Sequence, residues 1–328
     1  MKPMALILVI GGGGFIGSNM VEGLAASGDH RIVVCERFGP DEKWRNLIGV
    51  PVWELIAPQA LPAWLEENHQ ELEAIFHLGG ISSTTEDDAG LQLEQNYRLP
   101  LMLWRFCSDR GIRFFYLSSY ATYGAGEHGF DDDLSLPSML RLRPLSPHGW
   151  SKHLFDLHVA QCVAAGDAAP PQWAGLKLFN AYGPHEEHKH VQRSVIGQMI
   201  EQAVHTGSVR LFRSQHPNYA DGEQLRDVIY VKDCVAVMLW LLEHENVSGL
   251  FNLGTGNACT FLAMAHAVFA ALGREPRVHF VDMPETIAPN YQYFTEARMG
   301  RLRDAGYIAP FTPLKEGVKE YLGYYLAR

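Results

Sequence analysis

The sequence has little of what defines secreted, zinc-binding or membrane proteins. Only five cysteines stand in 328 residues, an odd number without a C-x-x-C pair, which argues against a disulfide framework and a structural zinc site. No apolar run approaches the roughly 20 residues that a membrane helix needs. The apolar stretch from Met4 to Ile10 ends at a glycine run without a small-x-small cleavage pattern, so it predicts a buried first strand rather than a signal peptide. We therefore expect a protein of the reducing cytoplasm.

An excess of positive charge is also missing. The formal net charge of −10 at pH 7 argues against general binding to nucleic acids or anionic membranes. The histidine-rich stretch from His185 to His190 lacks the H-E-x-x-H order of a zinc protease, and the acidic runs at 86–88 and 131–133 lack EF-hand spacing. We predict no metal site. An apolar fraction of 47% fits an ordinary globular protein with enough core to fold without metals or disulfides.

Short apolar runs alternate with amphipathic stretches through the first half of the chain. This alternation predicts a parallel sheet covered by helices on both faces, a Rossmann-type doubly wound α/β fold. The predicted strands are 5–10, 31–35, 74–78, 114–118 and 176–179, and the predicted helices are 15–27, 91–109 and 149–165. We expect a smaller, discontinuous C-terminal α/β substrate lobe beside them. The dinucleotide-binding domain would comprise 1–179 plus 227–256, and the substrate lobe 180–226 plus 257–328.

A glycine-rich motif follows the first predicted strand at once. It reads Gly11-Gly12-Gly13-Gly14-Phe15-Ile16-Gly17 and satisfies G-x-G-x-x-G, the turn that brings a dinucleotide pyrophosphate to a helix N-terminus. Glu36 ends the second strand at about the expected distance and would bind an adenosine ribose, which favours NAD. Arg37 and Lys43 could instead pair with the 2′-phosphate of NADP. The choice stays open, with a slight preference for NAD.

Two further motifs lie where such a fold carries its chemistry. The strand ending at Ser118 continues into Ser119-Tyr120-Ala121-Thr122-Tyr123-Gly124, and a later helix opens with His148-Gly149-Trp150-Ser151-Lys152. With these motifs the chain resembles the extended short-chain dehydrogenases/reductases, and among them the nucleotide-sugar epimerases acting at C6 of ADP-glycero-manno-heptose. The resemblance covers nearly the whole chain. Its most specific carriers are Ser82-Ser83-Thr84-Thr85-Glu86, His188-Lys189 and Tyr291-Gln292-Tyr293-Phe294-Thr295.

The resemblance implies an isomerase that works by redox epimerisation. Tightly bound NAD or NADP, one per subunit, would take a hydride from the sugar carbon and return it to the other face of the ketone. Lys189 matches the acid/base lysine of the family, Lys152 the lysine that holds the nicotinamide ribose, and Ser119 the hydroxyl that hydrogen-bonds the reacting oxygen. The resemblance also implies a homo-oligomer. The other implied cofactor contacts are Leu78, Gly79, Gly80, Asn96 and Ala181, and the implied substrate contacts are Ser82, Ser119, Asn180, Lys189, Phe212, Arg226 and Tyr291.

The match breaks at the catalytic tyrosine of the family, where this chain has His148. Nearby positive charges would hold an imidazole, whose reference pKa is about 6.5, neutral at pH 7. A neutral imidazole accepts a proton, but it is shorter than a phenol, and general-base geometry tolerates little displacement. Three alternatives stay open: His148 is the base, another group such as Tyr120 is the base, or oxidation is largely lost.

Other functions of the same fold compete with this one. They are a nucleotide-sugar reductase, a 4-epimerase for another sugar, and a catalytically impaired protein that binds a nucleotide-sugar or dinucleotide. A 4,6-dehydratase is disfavoured because Tyr120-Ala121 supplies no carboxylate after Ser119. The presence of Ser119, Lys152 and Lys189 together favours an enzyme over a silent binder.

Overall fold

The computed structural model describes residues 4–81, 88–285 and 291–328. Seven parallel strands form the central sheet, in the order β11-β6-β5-β4-β1-β2-β3. They are β1 (Ala5–Ile10), β2 (His30–Cys35), β3 (Glu54–Ile56), β4 (Leu72–His77), β5 (Arg113–Ser119), β6 (Trp173–Leu178) and β11 (Gly249–Leu253). The predicted Rossmann-type α/β fold is therefore confirmed. The predicted substrate residue Ser82 lies outside the described residues.

The remaining strands form three small sheets. Parallel pairs join β7 (Asn180–Tyr182) to β10 (Val228–Tyr230) and β8 (Val209–Phe212) to β13 (Val278–Val281), and β9 (Leu225–Arg226) lies between β12 (Cys259–Thr260) and β14 (Phe294–Thr295). Within 227–256, β11 joins the central sheet, whereas β10 pairs with β7 outside it. The division into two lobes stays a prediction.

Helices cover both faces of the sheet. They are α1 (Phe15–Ser27), α2 (Leu61–Asn68), α3 (Ala89–Leu93), α4 (Leu99–Arg110), α5 (Leu136–Met139), α6 (Pro147–Ala165), α7 (Val195–Thr206), α8 (Val231–Glu243), α9 (Phe261–Ala271), α10 (Gly300–Asp304) and α11 (Leu314–Leu326). Among the residues described, no helix combines the length and apolarity that crossing a bilayer requires.

The side chains of β1 show why the sheet is buried on both sides. Ile7 and Val9 pack into one core cluster, and Leu6, Leu8 and Ile10 pack into the other. Alternate residues of a strand point to opposite faces, so an uninterrupted apolar strand needs cover above and below. The apolar residues on both faces of β1 thus require the three-layer architecture, in which helices cover the sheet above and below.

One predicted helix differs in the structure. The stretch predicted as one helix over 91–109 is interrupted between α3 and α4 by a π-helical turn, Glu94–Arg98. Pro100 stands in the first turn of α4, and a proline has no N–H for the helical ladder. The wider π-helical turn accommodates the missing N–H donor at this point. It also carries the buried Asn96.

Candidate active site

A cavity of about 600 Å³ opens where the carboxyl ends of β1, β4, β5 and β6 meet. This edge is where open α/β sheets bind their ligands. The predicted site residues that line it are Gly11, Gly14, Phe15, Ile16, Glu36, Lys43, Leu78, Gly79, Gly80, Ser119, His148, Lys152, Asn180, Ala181, Lys189 and Arg226. The described ones that do not line it are Gly17, Arg37, Asn96, Phe212 and Tyr291.

The glycine turn leaves no room for side chains. Gly11 has a φ of +81°, and a Cβ there would lie 2.4 Å from the Cα of Gly79. A Cβ at Gly17 would lie 2.0 Å from the carbonyl oxygen of Gly11. Gly17 therefore acts by letting α1 pack on the strand, although it does not face the cavity. These contacts hold the loops after β1 and β4 together.

The start of α1 fits the pyrophosphate of a dinucleotide. Gly14 is the N-cap and offers no side chain to the first turn, and Gly14, Phe15 and Ile16 line the cavity. The free N–H groups and the positive end of a helix dipole attract an anion. The residues present thus fit a nicotinamide dinucleotide, with its pyrophosphate at this turn.

Carboxylates dominate the part of the cavity that lies beside the end of β2. Glu36 Oε2 accepts a hydrogen bond of 3.0 Å from the N–H of Gly13. Lys43 Nζ lies 3.0 Å from Glu36 Oε1 and 3.5 Å from Asp41 Oδ2. Arg37 is exposed and lies away from the cavity. Asp41 also lines the cavity, although no motif in the sequence indicates a role for it.

A side-chain amide closes the rim of the glycine turn. Asn46 Nδ2 donates to the carbonyl oxygens of Gly13, at 3.0 Å, and of His185, at 3.2 Å. The same nitrogen lies 3.3 Å from Nδ1 of His188. Asn46 thus joins three segments that are far apart in the chain. The motifs named in the sequence do not indicate this role of Asn46.

Ser119 lies at the carboxyl end of β5, in the wall of the cavity. Its Oγ accepts the N–H of Ala121 at 3.1 Å and so begins the short 3-10 helix Tyr120–Tyr123. An oxygen that accepts in this way keeps its own O–H free to donate. The Ser119 hydroxyl is therefore arranged to donate to an oxygen atom in the cavity.

His148 enters the cavity from the first turn of α6. Ser146 caps this helix by accepting the N–H of Gly149. His148 Nδ1 lies 2.8 Å from the carbonyl oxygen of Ile81. Because a carbonyl only accepts, Nδ1 carries the proton in the neutral ring and Nε2 is the acceptor. Burial, together with the ammonium groups of Lys152 and Lys189, lowers the pKa of His148 to about 4, so the ring is neutral at pH 7.

Lys152 follows one turn later on α6. Its Nζ donates to the carbonyl oxygen of Leu117 at 2.7 Å. Burial lowers the pKa of Lys152 to about 8, and the negative charge of Asp156 opposes that effect. The side chain is buried, and its ammonium group is held at the cavity wall by the strand that also carries Ser119.

Asn96 lies one layer behind the cavity wall. Its side chain accepts the N–H of Ile81 at 3.2 Å and donates to the carbonyl oxygen of the same residue at 3.1 Å. It also contacts Ser151 Oγ at 3.2 Å. Asn96 therefore holds the carbonyl that orients His148, and its predicted contact with the cofactor stays a prediction.

Lys189 faces the cavity from a short 3-10 helix, Glu187–Gln192. Its Nζ lies 5.7 Å from the centre of the Phe15 ring. Burial lowers the pKa of Lys189, and the negative charge of Glu186 opposes this effect.

Within the described residues, no group of three or more His, Cys, Asp or Glu side chains comes together in a way that could hold a metal ion.

Arg226 lines the cavity from β9. Its guanidinium lies 5.6 Å from the Phe261 ring and 5.3 Å from the Tyr291 ring, and it donates to the carbonyl oxygens of Leu225 and Gln292. Tyr291 touches Arg226 but lines a second cavity, of about 410 Å³. Phe212 is absent from the walls of both.

This chain belongs to the NAD dependent epimerase/dehydratase family, whose pattern matches residues 7–254. It is 46% identical to ADP-L-glycero-D-manno-heptose-6-epimerase of Nitratidesulfovibrio vulgaris over 324 residues, 98% of each chain. Identity to the Fusobacterium nucleatum enzyme of that name is 39%, again over 98% of each chain.

Solved structures similar to this chain include two epimerases. The Helicobacter pylori ADP-L-glycero-D-manno-heptose-6-epimerase has a TM-score of 0.80 at 25% identity, covering 99% of this chain and 97% of that one. The UDP-glucose 4-epimerase of Thermus thermophilus, in complex with NAD, has a TM-score of 0.78 at 25% identity, with 98% and 99% covered. The resemblance stated from the motifs is confirmed: the chain is an epimerase of the NAD-dependent type.

Proposed function

We propose that this enzyme inverts C6 of an ADP-glycero-manno-heptose by transient oxidation to a ketone and re-reduction. The observation that carries the proposal is one cavity, with Ser119, Lys152 and Lys189 in its walls, in a chain 46% identical over 98% of its length to a relative named for this reaction. NAD bound at the glycine turn would supply the hydride acceptor and donor. Because the hydride returns to the same sugar, the reaction needs no second substrate.

The side chains divide the proton chemistry between them. The Ser119 hydroxyl donates a hydrogen bond to the reacting sugar oxygen. His148 Nε2 accepts the proton of that oxygen as the hydride leaves the sugar carbon. After the ketone has turned over, the ammonium group of Lys189 donates a proton to the same oxygen as the hydride returns to the other face. Proton exchange with water then restores both side chains. Two acid/base groups from different segments suit a reaction that needs one group on each face of the ketone.

His148 is an available base but a weak one. A pKa of about 4 keeps the ring deprotonated at neutral pH, whereas efficient general bases have a pKa near the working pH. Tyr120 is the second candidate for this role. It lines the cavity, and its ring stacks on Phe179 at 5.5 Å. In the part of the chain that the structure describes, its hydroxyl has no hydrogen-bond partner.

We also propose NAD rather than NADP, one molecule per subunit. Glu36 and Asp41 both line the cavity at the adenosine end, and a 2′-phosphate would meet their negative charge. Lys43 is already paired with both carboxylates, so it offers less attraction to a phosphate than a free lysine. Titrating the protein with NADH and NADPH, by the fluorescence of the bound nicotinamide, tests this preference. Tighter binding of NADPH would overturn it.

Three wider expectations remain proposals. We propose that the protein forms a homo-oligomer, as its resemblance to this family of epimerases implies. We propose that the protein works in the cytoplasm, which is supported by five cysteines that are all free thiols. We propose that 180–226 plus 257–328 form the lobe that holds the nucleotide-sugar.

The test is a proton NMR time course of the purified protein with ADP-D-glycero-D-manno-heptose and catalytic NAD. We expect the L-glycero epimer to accumulate until both C6 epimers are present. The matched control is the His148→Tyr variant, which restores the phenol of the family. If only the variant converts the sugar, the scaffold is right and His148 has silenced it. If neither protein converts it, the heptose assignment is wrong.

A further inference from the structure

A buried ion pair lies directly behind the site and takes no part in the chemistry proposed above. Lys177 Nζ on β6 lies 2.8 Å from Asp156 Oδ2 on α6, and the two side chains are 1% and 0% exposed. Removing two charges from water costs several kcal/mol per ion, so a buried pair contributes little net stability. The pair therefore calls for a reason other than stability.

One end of the pair leads to Ser119. Lys177 Nζ donates to Thr122 Oγ1 at 2.6 Å, and Thr122 Oγ1 donates to the carbonyl oxygen of Ser119 at 2.8 Å. Asp156 accepts the neighbouring Ser118 hydroxyl at 2.6 Å. Asp156 thus holds the side chain of Ser118, and Lys177 holds the backbone of Ser119 through Thr122.

The other end leads to Lys152. Asp156 lies four residues after Lys152 on α6, which places both side chains on the same face of the helix. The charged and titratable groups facing Lys152 are His148 and Asp156 from α6 and His77 from β4. Lys177 reaches the same carboxylate from β6. Asp156 is therefore ion-paired with Lys177, and it acts on Lys152 through its charge alone.

We propose that Lys177 and Asp156 are positioning residues: together they fix Ser119 relative to Lys152 and limit how strongly Lys152 is held in its charged form. Asp156 is ion-paired with Lys177, so we expect Lys152 to be less stabilised as a cation than a lysine with its own carboxylate. The proposal rests on the proposed function only for the role of Ser119. The control of charge concerns the binding of the dinucleotide, because the resemblance implies that Lys152 holds the nicotinamide ribose.

The test measures the dissociation constant of NADH from pH 6 to 10 by fluorescence. In the unaltered protein, binding should weaken with a midpoint near the pKa of Lys152, about 8. Lys177→Met leaves the Asp156 charge uncompensated and should raise this midpoint by about one pH unit, whereas Asp156→Asn should lower it by about one unit. The double variant removes both charges and should return the midpoint to that of the unaltered protein.

A surface lysine provides the matched control. Lys232 pairs with Glu320 at the surface, where both side chains are about half exposed, so Lys232→Met should leave the midpoint unchanged. Circular dichroism identifies any variant that does not fold. If Lys177→Met does not fold, the other two variants still test the proposal. The midpoint of Asp156→Asn should fall, whereas that of the double variant should equal the midpoint of the unaltered protein. Equal midpoints in all folded variants would overturn the proposal.

Activity separates the two proposals from each other. In the double variant, kcat for the heptose should fall at least tenfold with KM nearly unchanged, because Ser119 loses its fixed position while the substrate contacts remain. If the unaltered protein does not convert the heptose, the proposed function fails, yet the NADH midpoints still test the pair. A shift in the midpoints without a fall in kcat would restrict the pair to the charge of Lys152 and refute its effect on Ser119.

Discussion

Replacing Gly17 by alanine tests how tightly the glycine turn is built. The added Cβ would lie 2.0 Å from the carbonyl oxygen of Gly11, 2.7 Å from its carbonyl carbon and 2.9 Å from the Cα of Gly12. All three are backbone atoms, which cannot rotate away. To reach ordinary contact at 3.4 Å, the start of α1 would have to move by about 1.4 Å. Overpacking of this kind costs about 1–3 kcal/mol.

The same displacement moves the N–H groups that face the cavity. We expect Gly17→Ala to lower the free energy of unfolding in urea by about 1–3 kcal/mol and to weaken NADH binding at least tenfold, which is about 1.4 kcal/mol. The control is Gly323→Ala in the last turn of α11, where an added Cβ has open space. That change should stabilise the protein by about 0.5–1 kcal/mol.

These two glycines therefore separate helix propensity from steric contact. If Gly17→Ala keeps both its stability and its affinity for NADH, the close packing of α1 on the strand is not what requires glycine here. If Gly323→Ala is as destabilising as Gly17→Ala, the space around an added Cβ does not determine the change in the free energy of unfolding.

Three further predictions concern the cavity and its support. His148 has a pKa of about 4, and a base works only when deprotonated, so kcat/KM should show no acid limb from this residue between pH 5 and 8; an acid limb that appears with His148→Tyr would support the assignment, and a limb near pH 6.5 in the unaltered protein would contradict it. Arg226→Lys should raise KM about tenfold with little change in kcat, because a lysine cannot stack between Phe261 and Tyr291 or bind two oxygens at once; steady-state kinetics check this, and an unchanged KM would refute it. Asp227→Asn should cost about 2–3 kcal/mol in thermal unfolding, because this buried carboxylate accepts four hydrogen bonds from N–H and O–H donors; a variant as stable as the parent would refute it.

The sheet could be predicted because its cause is local. Each buried strand is a short apolar run, and each turn that faces the cavity begins where such a run ends. The glycine motif was equally visible, since its requirement for small residues follows from the turn itself. The break between α3 and α4 was less visible, because Pro100 is compatible with the first turn of a new helix as well as with a simple helix end.

What the sequence could not show depends on contacts between distant segments. Asp156 and Lys177 lie 21 residues apart on different elements, and each one alone is typical of an exposed side chain. Asp41 stands in an unremarkable polar loop, and only the fold brings it to the cavity. The resemblance implies that Tyr291 contacts the substrate, and the structure places it on Arg226 at the wall of a neighbouring cavity.

The amide of Asn46 bears on how long a bound dinucleotide stays. It bridges the backbone of Gly13 in the turn to that of His185, beyond the seven-stranded sheet. We expect the amide to slow the dissociation of a dinucleotide that leaves past this rim, because both hydrogen bonds would have to break first. For a reaction that gives back each hydride it takes, long residence carries no penalty: one captured molecule serves turnover after turnover, whatever its concentration outside.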